Sequence, residues 1–223
     1  MRHSVRFTKL AWAFLFFTLL TLFVMGCLRK PGAPLTEITY RLPTKLTVSA
    51  GGELPGTGIR YERMDDEGAY LVIQGMEALK RRGDSVDWKG DLAPGVSADL
   101  SLRVIWYTED ELHLVGEATL KVEEIQPQTV SIPTSSPIKY TGAVAYGIAK
   151  GATIPGSPIT YEGRTEEGAQ LNIEGYPYRK MGDSILWEGE LRAGVYVRLD
   201  MRVLQYDDKG LRVGGLATLW IGS

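Results

Sequence analysis

A chain of 223 residues, 44% hydrophobic and 23% charged, has the composition of a folded globular protein rather than a disordered one. Arg2, Arg6 and Lys9 account for three of the 25 basic residues, so the chain beyond residue 27 carries 22 basic against 27 acidic groups. That acidic balance, without a basic patch, argues against nucleic acid as a partner, and a single cysteine excludes a disulfide framework.

The N-terminus reads as an export signal over residues 1–27. Arg2, Arg6 and Lys9 form a basic region, Leu10 to Val24 carries no charge, and the run closes on Val24-Met25-Gly26-Cys27. This ending resembles the lipobox of bacterial lipoproteins, with Met25 a less common residue of the box. The resemblance implies cleavage before Cys27 and lipidation of its thiol by diacylglycerol, with a further amide-linked chain such as palmitate. Two or more acyl chains are the number that stable membrane attachment requires. The alternative is an uncleaved helix from Leu10 to Leu28, long enough to span a bilayer and held with its N-terminus inside by the basic residues. Both readings place the remainder outside the cytoplasm, in the bacterial cell envelope. Leu28, being a residue other than Asp, implies on the same resemblance sorting to the outer membrane where the organism has two membranes.

After a Pro/Gly tether at residues 28–34, the chain writes one paragraph twice. Ile38, Tyr40, Gly51, Pro55, Tyr61, Glu67 and Ile73 meet Ile138, Tyr140, Gly151, Pro155, Tyr161, Glu167 and Ile173. After one deletion, Gly83-Asp84-Ser85 meets Gly182-Asp183-Ser184, Trp88 meets Trp187, and Ala118-Thr119-Leu120 meets Ala217-Thr218-Leu219. Such self-similarity marks a duplicated structural unit. It sets repeat 1 at residues 35–123, a Pro-rich linker at 124–137 and repeat 2 at 138–223.

Within repeat 1, strands are expected at Glu37–Tyr40, Lys45–Ser49, Gly58–Arg63, Ala69–Gln74, Ser85–Asp91, Val96–Tyr107 and Leu112–Val122, with repeat 2 alike. Turns fall at Asp65 to Gly68, Gly83-Asp84, Ala93 to Gly95 and Thr108 to Glu111. Met76 to Arg82 is the one candidate helical turn outside the signal. Strict alternation places Val96, Ala98, Leu100, Leu102, Val104 and Trp106 inward and Ser97, Asp99, Ser101, Arg103 and Tyr107 outward. Gly116 and Gly215 are expected to make room for Trp88 and Trp187. About seven strands in each repeat around a buried Trp fit an Ig-like sandwich. The fold class is therefore all-β: two tandem antiparallel Ig-like sandwiches behind a signal or anchor helix. The stretches WKGDLAPGVSADLSLRV and WEGELRAGVYVRLDMRV, from Trp88 and Trp187, resemble a closing hairpin of the tandem β-sandwich modules of bacterial cell-surface proteins. That resemblance implies a fold and a surface location, and carries no catalytic residue.

Catalytic candidates are sparse. His113 is the one histidine beyond the signal, and Arg212 replaces it in repeat 2, so neither a zinc set nor a Ser-His-Asp triad is assembled. The glycine-rich run Gly142 to Gly151 lacks the Gly-Lys-Ser/Thr ending of a phosphate loop. Asp65-Asp66-Glu67 and Asp207-Asp208 are weighed for calcium, and Glu62/Glu162 with Glu67/Glu167 for glycoside chemistry, against their ordinary use as turn residues. The expectation is a protein that is not an enzyme and needs no cofactor or metal. Arg103 is expected to pair with Glu117. What exceeds the needs of the fold is aromatic: Tyr107, Tyr196, Tyr206 and Trp220 on outward parity, and Tyr176 and Tyr178 in a loop. These six are the expected partner surface, for an envelope protein or a glycan, on a module attached to the membrane through Cys27.

Overall fold

The computed structural model describes residues 36–132, 136 and 138–222; the signal, Cys27 and the tether lie outside them. The chain is all-β, with no helix among the described residues. Repeat 1 contributes β1 (Glu37–Ser49), β2 (Glu53–Leu54), β3 (Ile59–Met64), β4 (Ala69–Ile73), β5 (Met76–Lys80), β6 (Ser85–Ala93), β7 (Val96–Tyr107) and β8 (Glu111–Glu123). Repeat 2 contributes β9 (Ile138–Ala149), β10 (Tyr161–Arg164), β11 (Ala169–Leu171), β12 (Tyr178–Arg179), β13 (Ser184–Arg192), β14 (Val195–Tyr206) and β15 (Gly210–Ile221).

The first and last strands of each repeat meet. The large sheets run β1-β8-β7-β6 and β9-β15-β14-β13, and the small ones β2-β3-β4-β5 and β10-β11-β12, all antiparallel. An Ig-like partition alternates strands between sheets, as ABED and CFG. Here the middle strands of a repeat stay together and the chain changes sheet at two places, so the Ig-like connectivity expected from the Trp and strand count is not the one present.

The alternation written in β7 and β14 is obeyed from Val96 to Val104 and from Val195 to Val203. A bulge then intervenes at the same place in both, between Val104 and Trp106 and between Val203 and Gln205. An extra residue reverses the faces beyond it. Trp106, expected inward, is 45% exposed, whereas Tyr107 and Tyr206, expected outward, are half-buried against the core.

Three further expectations change. Met76–Lys80 is strand β5, not a helical turn, pairing along β4. Pro43 does not divide β1, because it sits on the edge of its sheet, where a missing N–H costs no ladder bond. Trp88 and Trp187 lie over Gly90 and Gly189 of their own strands: a Cβ there would stand 2.7 and 2.6 Å from the indole Cζ2. Gly116 and Gly215 instead admit the backbone of the neighbouring strand, with Ser101 O and Asp200 O at 1.9 and 2.1 Å from where a Cβ would be.

One continuous core joins the repeats. β1 packs against β9, where Leu42 fills the space over Gly142. Gly56 lies against Ile138, and Gly156 against Ile38 and Tyr40, so the contacts are reciprocal. Arg192 adds a polar clasp, donating from Nη1 to the Glu123 carbonyl at 2.8 Å. The linker is structured too: Gln126 and Gln128 hydrogen-bond along the edge of β13, and Ile125 is buried.

Candidate binding surface

The outer face of β13-β14-β15-β9 is built by cross-strand rows. Tyr196 stands opposite Trp220, and Trp220 opposite Lys139, whose Nζ lies 5.4 Å from the indole centroid. Tyr196 and Trp220 are therefore cross-strand neighbours on one half-buried row, with Glu190 on the far side of Tyr196. Nearer the middle of the sheet, Leu186, Asp200, Leu216 and Ala143 form another row, with Leu186 59% and Leu216 50% exposed. Between the two rows Arg198 pairs with Glu188 at 3.1 Å and Thr141 hydrogen-bonds Thr218 at 3.0 Å.

Repeat 1 presents the same positions with different chemistry. Where repeat 2 has Leu186, Asp200, Leu216 and Ala143, repeat 1 has Asp87, Ser101, Glu117 and Pro43. Where it has Tyr196, Trp220 and Lys139, repeat 1 has Ser97, Lys121 and Thr39. Lys121 there is held by the Glu37 and Glu123 carboxylates at 3.1 and 2.7 Å. The same backbone thus carries Asp87, Glu117 and Lys121 in one repeat and Leu186, Leu216 and Trp220 in the other, while Asp200, Lys139 and the Arg198–Glu188 pair keep charge on the second face. Exposed apolar rows on a fixed scaffold are unfavourable in water unless something covers them.

Tyr176 and Tyr178 form a second aromatic group. Their rings meet edge to face with centroids 5.5 Å apart, and Tyr176 is 64% exposed. Arg179 fixes the loop by donating from Nη1 to the Tyr176 and Tyr178 carbonyls at 2.6 and 2.9 Å. The Glu167 carboxylate beside Tyr178 holds that phenol above its ordinary value. Next to the loop a groove is lined by Arg179, Asn172, Leu186, Trp187 and Thr129. The indole N–H of Trp187 donates to the Thr129 hydroxyl at 3.1 Å.

Of the six aromatics expected at the surface, the structure joins Tyr196 to Trp220 and Tyr176 to Tyr178, and withdraws Tyr107 and Tyr206 toward the core. It adds Trp106, which alternation alone placed inside. Trp106 lies 6.4 Å from the His113 ring, with the Arg82 guanidinium 5.5 Å from its centroid. No sequence signal short of locating the bulge would have found it.

The acidic turns serve the backbone. Asp65 accepts the Glu67 amide at 2.9 Å, which lowers its pKa, and Asp207 accepts the Lys209 and Gly210 amides at 2.8 and 2.9 Å with the same effect. Asp84 and Asp183 each accept the amide three residues earlier at 2.7 Å, so the carboxylates bind nearby amides as expected of both Gly-Asp-Ser turns, but backward along the chain rather than forward as in an Asx turn. Arg103 and Arg202 donate to the Gly83 and Gly182 carbonyls at 3.0 and 3.1 Å, so Arg103 bridges to a turn carbonyl rather than to Glu117. His113 contacts Thr47 Oγ1 at 3.2 Å and Glu111 at 3.3 Å. Among the described residues no group of three or more His, Cys, Asp or Glu side chains is placed to hold a metal ion. Compared with protein-family models, curated proteins and solved structures, the chain matches none, and its function is read from these surfaces.

Proposed function

We propose that the chain is a lipid-anchored, extracytoplasmic binding module of the bacterial envelope, made of two duplicated β-sandwiches and acting without catalysis. The anchor is Cys27, and the partner surface is the outer face of β13-β14-β15-β9. The observation carrying this reading is the contrast between the repeats: Asp87, Glu117 and Lys121 on one, Leu186, Leu216 and Trp220 at the same positions on the other. Duplication keeps what folding needs, so three positions that are charged in one copy and apolar on the outer face of the other answer to something outside the fold. An envelope protein is the partner that the exposed Leu186 and Leu216, with Asp200 between them, fit best.

The test is a photo-crosslinking residue placed at Leu216, with the same residue at Glu117 as the control. Irradiation in intact envelopes should give a discrete adduct from Leu216 and none from Glu117. Equal yields from the two positions, or no adduct from Leu216, would reject the assignment. A glycan is the second reading, supported by the adjacency of Tyr196 and Trp220, which offers stacking faces for sugar rings. Binding on a glycan array that Trp220→Ala removes would favour it, and an array without binding would dismiss it.

A further inference from the structure

β6 and β13 hold the same place in the two repeats, at one end of each large sheet. On β13 the edge is occupied by the linker. The Gln126 and Gln128 amides donate to the Leu191 and Glu190 carbonyls at 2.7 and 2.9 Å, and the Glu190 amide donates back to the Gln128 carbonyl at 2.9 Å. Thr129 then receives the Trp187 indole N–H. The segment passes so closely that a Cβ on Gly189 would stand 2.2 Å from the Gln128 carbonyl oxygen.

On β6 no described residue takes that position, and the exposure records the difference. Gly189 and Leu191 are buried and Glu188 and Glu190 half-buried, whereas Gly90 and Leu92 are half-buried and Lys89 and Asp91 exposed. The receiving parts are nevertheless the same. Trp88 lies over Gly90 as Trp187 does over Gly189, and β6 has the bulge after Asp91 that β13 has after Glu190. The backbone groups of Asp91 thus have the register that Glu190 uses toward Gln128. Outward N–H and C=O groups on an edge are a template for an added strand.

We propose that β6 is a docking edge for an extended segment of a partner polypeptide, added antiparallel along Lys89 to Leu92. The chemistry that fits is that of Gln126 to Thr129: a backbone amide and carbonyl exchanged with Asp91, and a hydroxyl side chain accepting the Trp88 indole N–H. A second copy of β6 is the poorer occupant, because its one hydroxyl is Ser85 at the strand's first residue. This goes beyond the binding role of repeat 2 and uses a different surface, so either stands without the other.

The probe is a labelled peptide with the sequence of residues 124–132, Glu-Ile-Gln-Pro-Gln-Thr-Val-Ser-Ile, titrated with the full chain in detergent micelles and read by fluorescence anisotropy. Saturable binding is expected. N-methylation of the peptide's second glutamine amide should weaken it roughly tenfold or more by removing the bond to the Asp91 carbonyl. A photo-crosslinker at Lys89 should capture the peptide, and one at Glu188, where the linker is already seated, should not. Absence of binding, indifference to N-methylation, or capture at Glu188 instead of Lys89 would each overturn the proposal. So would a dimer of the full chain that the peptide does not dissociate.

Discussion

Gly142→Ala tests the seam between the repeats most directly. A Cβ at Gly142 would lie 2.9 Å from the Cα, the Cβ and the Cδ2 of Leu42, and the first two are atoms that cannot swing away. Overpacking on this scale costs about 1–3 kcal/mol. Stiffening a strand glycine returns about 0.5–1 kcal/mol, so the net loss is at most about 2.5 kcal/mol. For a chain of this size that corresponds to a fall in Tm of up to roughly 10 °C. Gly147, further along β9, has open space around the same methyl and supplies the control, because Gly147→Ala keeps the gain without the clash. Thermal and urea unfolding of both variants should place Gly142→Ala below the parent chain and Gly147→Ala at or above it. In a Leu42→Ala background, itself about 2–5 kcal/mol less stable because Leu42 is buried, Gly142→Ala should cost less, losing the part owed to Cδ2 and keeping the part owed to the β1 backbone. If Gly142→Ala is as stable as Gly147→Ala, the repeats are not packed through β1 and β9.

Tyr40 is buried with a hydroxyl that has no hydrogen-bond partner, so Tyr40→Phe should leave urea stability unchanged or raise it. Burial pushes the Tyr140 and Tyr146 phenols up to about 12 and the Tyr40 phenol well above its ordinary value. Their folded-state pKa values exceed the unfolded value of about 10, so stability is fully present below that pH and declines as pH rises from about 10 toward 12. Urea midpoints measured across that range should show the decline, with a shallower slope in Tyr40→Phe. Tyr161→Phe removes a 2.6 Å bond from its hydroxyl to the Asp207 carbonyl and should cost about 0.5–1.5 kcal/mol in the same assay. Cys27→Ala should abolish incorporation of labelled palmitate; unchanged incorporation would remove the lipid anchor.

Strands and turns were legible because their signals are local. Val96 to Val104 alternates without exception, and Gly83-Asp84 closes its turn with the aspartate's own carboxylate. The aromatic surface was legible in part, since Tyr196 and Trp220 lie on strands whose parity is unbroken up to them. Tyr107, Tyr206 and Trp106 were misplaced because a bulge adds a residue without changing composition. β5 was misread because Met76 to Lys80 lacks β-branched residues and forms its strand by pairing with Ala69 to Ile73. The cover on β13 was hidden for a related reason. A Pro-rich linker reads as a spacer, whereas Gln126 and Gln128 become paired only because β13, far along the chain, presents its edge to them. Contacts between distant segments leave no period in the sequence.

The closure of each large sheet bears on when the chain can fold. Glu37 pairs with Glu123 and Ile138 with Ile221, so the first strand of each repeat finds its partner only when the last has been made. Such distant pairings raise the contact order and slow folding. A chain emerging from the ribosome therefore lacks the means to close either sheet until nearly the whole repeat is out. Slow closure keeps the polypeptide threadable while it is being made, which is what the export contained in the proposed function would require.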